Sequence, residues 1–126
     1  MSKPKKLTKA YLKKKEKRLN KRVFKEKLKL WRDKVIQRDK GYCQICNKPL
    51  LTQPKNVHHI ISLSSVKRKY PDLLENIDNG ILLCSYDHKF APNSPHQSGV
   101  EFGLWLQEHK PEQYNNLITI LKNLKV

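Results

Sequence analysis

The chain has 126 residues, enough for one compact domain with a tail, and its longest apolar run, Gly80–Cys84, is far too short for a transmembrane helix. Lys and Arg number 27 against 11 Asp and Glu, a formal net charge of +16, which implies a polyanionic partner, most simply nucleic acid. Residues 1–40 hold 18 Lys/Arg and 4 Asp/Glu, and residues 41–126 hold 9 and 7, which excludes a uniformly basic coat and leaves a nearly neutral domain with a basic arm.

Residues 1–22 are mostly Lys, Leu, Glu, Arg and Asn. Their helix propensity is good, but lysines repel one another at i, i+4, so the arm is expected to be partly disordered or helical and to order on a phosphate backbone. A solvated tail is the plainer reading of residues 1–15. Polar residues surround the arm too completely for it to lie on an anionic membrane, and no apolar region behind the charged stretch marks a secretory signal. From about residue 20, Val23/Phe24, Leu28, Trp31 and Val35 recur at steps of three and four, predicting an amphipathic helix that ends near Lys40-Gly41, with Gly41 as a left-handed cap. Trp31 reads as core packing rather than a base-stacking residue.

Residues 42–56 read as a knuckle and a loop, Asn56–Ile61 as a strand, and 62–78 as a polar surface loop. Asn79-Gly80 is a turn dipeptide, Ile81–Cys84 a second strand, and Ser85–Phe90 the start of a helix that 91–95 breaks with two prolines. Ser98-Gly-Val-Glu101 fits a capping box, and Pro111 opens a last helix with the stripe Tyr114, Leu117, Ile118, Leu121 and Leu124.

Three cysteines argue against a disulfide framework. Cys43-Gln-Ile-Cys46 has metal-ligand spacing, and Cys84-Ser-Tyr-Asp87 has the form of a second pair with a carboxylate in its last place. Zinc accepts carboxylate oxygen beside thiolate, so Cys43, Cys46, Cys84 and Asp87 are candidate ligands of a structural zinc, with His96 an alternative for the fourth position. A redox pair or cysteines that are simply buried are the rival readings. His58-His59 lies on the first strand and His88 follows Cys84 by four; imidazoles can ligate a metal or take a proton near neutral pH. Neighbours on a regular strand point to opposite faces, so one site for both His58 and His59 requires an irregular strand.

Over about residues 30–90 the text resembles the HNH endonucleases of the ββα-metal fold: Arg38-Asp39-Lys-Gly-Tyr-Cys43-Gln-Ile-Cys46, Val57-His58-His59-Ile60-Ile61, Asn79-Gly-Ile-Leu-Leu-Cys84, then His88. Asp87 departs from the pattern, since zinc-bearing members have a second-pair cysteine there. The resemblance implies an α+β protein with a small ββα-metal core, flanking helices and a basic N-terminal helical arm. The implied division is 1–22 arm, 23–95 nuclease core with its preceding helix, and 96–126 C-terminal helices packing on the core. It implies that His59 is the general base, that His58 and His88 hold one catalytic divalent ion (Mg, Mn, Ni or Zn), and that Asn79 braces the hairpin loop beneath His59. It implies phosphodiester hydrolysis of DNA leaving a 5′-phosphate and a 3′-hydroxyl, in a small phage-type member acting in the cytoplasm of a bacterial or phage-infected cell. Basic residues should flank the site: Lys67, Arg68, Lys69 and Lys89 are the candidate DNA contacts, with the arm supplying more. Cleavage of both strands would need a homodimer or two encounters, and a phage DNA-processing partner would recruit the protein. The reading from a different class is a non-catalytic zinc-containing nucleic-acid-binding module.

Overall fold

The computed structural model describes residues 8–123. Helix α1 spans Lys9–Arg38, and Thr8 Oγ1 accepts from the Tyr11 backbone N–H at 3.1 Å, satisfying a first-turn donor. The helix thus starts well before residue 20, and residues 9–22 of the arm are one piece with the packed part; residues 1–7 lie outside the described residues. Trp31 and Val35 are buried, while Phe24 and Leu28 are half-buried. Gly41, at φ 74°, supplies the expected left-handed exit, and Lys40 shares it at φ 58°. The Gly41 N–H donates to Ile36 O at 3.1 Å.

Strands β1 (Asn56–His59) and β2 (Gly80–Leu83) pair antiparallel, with His58 opposite Ile81 and His59 opposite Gly80. β1 stops two residues short of the expected Ile61, because Ile61 is drawn to the Asn79 side chain instead of a strand partner. β2 is buried along its whole length.

The segment 62–78 is not the surface loop its polarity suggests. It holds helix α2 (Leu63–Lys69) and two 3₁₀ turns, Pro71–Leu73 and Ile77–Asn79. Ser62 caps α2 through its hydroxyl, and Lys67, Arg68 and Lys69 fill the last turn, where cations suit the helix dipole. Its few apolar residues are spent inward: Val66 and Leu73 are buried with Leu117.

Only one π-helical turn, Tyr86–Phe90, follows β2. Helix α3 (Gly99–His109) begins at Ser98, whose Oγ accepts from Glu101 N at 3.2 Å. Helix α4 (Pro111–Asn123) follows directly, and Leu124 of its expected stripe lies outside the described residues. The main core gathers Cys43, Leu50, Ile81, Leu82, Leu83, Phe102 and Leu106, so β2 is held between the knuckle and α3. No helix among the described residues is long and apolar enough to cross a membrane.

Candidate active site and metal centres

The knuckle is a tight hairpin. Tyr42 bridges Pro49, Cys43 N donates to Lys48 O at 2.9 Å, and Asn47 takes the left-handed turn position at φ 61°. A short-chain polar residue such as Asn tolerates that conformation. The hairpin turns Cys43 inward and leaves Cys46 exposed. Opposite, Cys84 and Asp87 face them from the end of β2 and the π turn. One ligand atom from each of Cys43, Cys46, Cys84 and Asp87 lies within 4.8 Å of all the others. The Cys43 and Cys84 thiols both donate to Asp87 Oδ2 at 3.2 Å, and the sulfurs of Cys46 and Cys84 lie 4.0 Å apart. Burial pushes the Cys43 thiol up to about 12 and raises Cys84 as well. Three sulfurs and one carboxylate oxygen at this spacing suit a four-coordinate zinc, whose binding would replace the thiol protons.

A second group lies on the other side of the π turn. His58 Nδ1 is 3.3 Å from His88 Nε2, and His96 Nε2 is 3.0 Å from the same atom. His58, His88 and His96 thus form a second donor set within 4.8 Å. His96 therefore does not complete the cysteine group, whose fourth place is filled by Asp87. Burial first, then repulsion from neighbouring imidazoles, lowers His58 to about 3; burial and repulsion from His96 and Lys89 lower His88 to about 4. Both rings are neutral at pH 7, with lone pairs free for a cation. The remaining ring nitrogen of His88, Nδ1, is buried without a partner.

Asp87 and His88 are consecutive, yet they serve different groups. The wide π turn separates them, carrying the carboxylate toward the knuckle and the imidazole toward β1. His58 and His59 diverge too, as strand alternation demands, although both still line one cavity between β1, α3 and α4. His58 packs edge-on against Phe102 of α3, its ring centroid 5.6 Å away. His59 lies instead against α1, stacked on Trp31 with centroids 4.1 Å apart and planes 14° apart. Burial lowers the pKa of His59, and its Nε2 is sealed from solvent without a partner. Asn79 is fully buried; its Oδ1 accepts from Ile61 N at 2.6 Å and its Nδ2 donates to Ile61 O at 3.1 Å.

Lys67, Arg68, Lys69 and Lys89 are all exposed. Lys67 Nζ sits 4.4 Å from the centre of the Phe24 ring, which ties the end of α2 to α1. Two participants were not legible as such in the sequence. His96 lies in an irregular segment with no ligand spacing to His88. Trp31 meets His59 across a tertiary contact that helical periodicity identifies only as core.

Residues 43–91, which hold the knuckle, the two strands and the π turn, match the family model for HNH endonuclease. HNH nucleases act on DNA and use metal ions, and the two side-chain groups are donor sets that could hold such ions. Comparison with curated proteins and with solved structures gave no match.

Proposed function

We propose that the protein is a metal-dependent endonuclease that hydrolyses DNA phosphodiester bonds, nicking or cleaving them to leave a 5′-phosphate and a 3′-hydroxyl. The observation that carries this reading is the convergence of His58, His88 and His96 from three separate segments into one set of donors, next in the chain to His59. His58, His88 and His96 would hold the catalytic ion, and an all-imidazole set suits Zn or Ni better than Mg or Mn. When bound, such an ion supplies Lewis acidity at the scissile phosphate and charge compensation for the leaving oxygen.

The rest falls to the chain's own residues. His59, kept neutral by burial, takes a proton from the attacking water. It does so at Nδ1, because Nε2 is buried. Asn79 holds the backbone that follows His59, so the imidazole is presented from a fixed strand end. Cys43, Cys46, Cys84 and Asp87 would hold a structural zinc, which would tie the knuckle to the end of β2. Lys67, Arg68, Lys69 and Lys89, with the basic length of α1, engage phosphates and confer affinity without sequence choice. One such site per chain means that cutting both strands takes a second copy or a second encounter.

The test uses supercoiled plasmid with EDTA and then with Mg²⁺, Mn²⁺, Ni²⁺ or Zn²⁺, beside the His59→Ala variant. Metal-dependent nicking that disappears in His59→Ala, with DNA binding intact, is the expected outcome. Absence of cleavage with every ion, alongside salt-sensitive binding by both proteins, would replace the nuclease with a binding module.

A further inference from the structure

We propose that Trp31 is a positioning residue for His59: it fixes the plane of the imidazole while Asn79 fixes the backbone beneath it. The proposal rests on the reading of His59 as general base. A base is ordinarily oriented by a third group that hydrogen-bonds its far nitrogen. His59 has no such partner among the described residues, and its Nε2 is buried and unpaired. Strand geometry does not supply the missing constraint, because the terminal torsion of a histidine is broad. What faces the ring is the indole of Trp31, nearly parallel at 4.1 Å between centroids.

The indole is itself held. Its Nε1 donates to Asn76 O at 2.9 Å. The same carbonyl accepts the Asn79 backbone N–H at 3.1 Å. Asn79 in turn grips Ile61, two residues past His59. Ring plane and backbone are thereby referred to one anchor, the carbonyl of Asn76. The cross-strand neighbour of His59 is Gly80, and a Cβ there would lie 2.6 Å from Trp31 Cζ2. Glycine at that position is what admits the indole over the strand pair. Trp31 lies outside the segment that matches the family model, so the device is supplied by α1.

The experiment compares the full-length protein with Trp31→Leu, Trp31→Phe and His59→Ala. The imidazole C–H resonances of His59 are assigned by their loss in His59→Ala. In Trp31→Leu they should move downfield to unstacked positions, and in Trp31→Phe they should stay near their parental place. Single-turnover nicking at saturating plasmid, with the ion that supports it in the parent, should fall about 100-fold in Trp31→Leu, the scale expected of a misplaced reacting group. Trp31→Phe should recover most of that rate, and DNA affinity should be unchanged in both. Should Trp31→Leu fail to melt cooperatively, Trp31→Met fills the volume without a ring face and takes its place. Parental nicking in a variant whose His59 resonances have moved would overturn the proposal and reduce Trp31 to packing. Resonances that do not move would overturn it as well. Parental nicking in His59→Ala would remove the general-base reading itself, whereas loss there with parental nicking in Trp31→Leu removes only the role of Trp31.

Discussion

Asn79 engages both backbone polar groups of Ile61, accepting at 2.6 Å from the N–H and donating at 3.1 Å to the carbonyl. The pair pins the chain where it leaves β1. Asn79→Ala leaves both groups of Ile61 without their partner and should cost about 1–3 kcal/mol. Urea unfolding measures the loss. The nicking rate should fall further than this destabilisation explains, because the strand end that carries His59 is freed.

Gly80 sits under both Trp31 and Val35. An added Cβ would come 2.6 Å from Trp31 Cζ2 and 2.7 Å from Val35 Cγ2. Gly80→Ala should therefore push α1 off the sheet and destabilise by about 1–3 kcal/mol, the usual scale for overpacking. A melting temperature equal to the parent's would show that α1 yields freely at this contact.

The four-ligand knuckle should retain zinc through purification. Cys43→Ser should lose that zinc and destabilise the domain by several kcal/mol, since metal-binding energy in such sites is folding energy. Asp87→Cys should keep the zinc, because it completes a four-thiolate set. Metal analysis and thermal melts of the three proteins decide the matter, and a zinc-free parent that melts like Cys43→Ser would end the structural-metal reading.

The histidine cluster predicts a pH dependence for the metal-free protein. His58 and His88 are lowered from 6.5 to about 3 and about 4, so the unfolded chain takes up protons first. Their neutral burial costs no stability above pH 6.5, and stability is lost progressively as pH falls from there, toward about 4 for His88 and about 3 for His58. Melting temperatures measured in EDTA across that window should slope downward, and His58→Ala should flatten the slope. A flat profile in the parent would show that these rings are not buried as described.

Removal of residues 1–22 takes away 11 Lys/Arg and one Glu but none of Phe24, Leu28, Trp31 or Val35. The truncated protein should stay folded, bind DNA more weakly and show a shallower salt dependence, by about 0.9 in the log–log slope for each phosphate no longer neutralised. Equal affinity at every salt concentration would remove the arm from the DNA interface.

What the sequence made legible followed short-range rules. The stripe through Trp31 and Val35, the exit at Gly41, the hydroxyl cap at Ser98 and Pro111 at a helix start are set by residues within a turn of one another. The pairings Cys43-x-x-Cys46 and Cys84-x-x-Asp87 were legible for the same reason. Helix α2 was not, because two buried residues, Val66 and Leu73, in a long polar stretch carry too little periodicity, and what orders them is contact with Leu117. The early start of α1 was hidden by repelling lysines that a single cap at Thr8 and a long cooperative helix outweigh. His96 joins His58 and His88 only through the path of an irregular segment, which leaves no trace in spacing.

Helix α1 runs unbroken from Lys9 to Arg38, about 45 Å at the usual rise per residue. A floppy tail of equal charge would only raise the local concentration of a polyanion around the domain. A spoke rooted at Trp31 and Val35 sets a bearing as well. A duplex lying along it would meet the histidines at a fixed angle and a fixed distance from the far contact. The choice of which phosphate is presented would then be made by a length of helix rather than by any reading of bases.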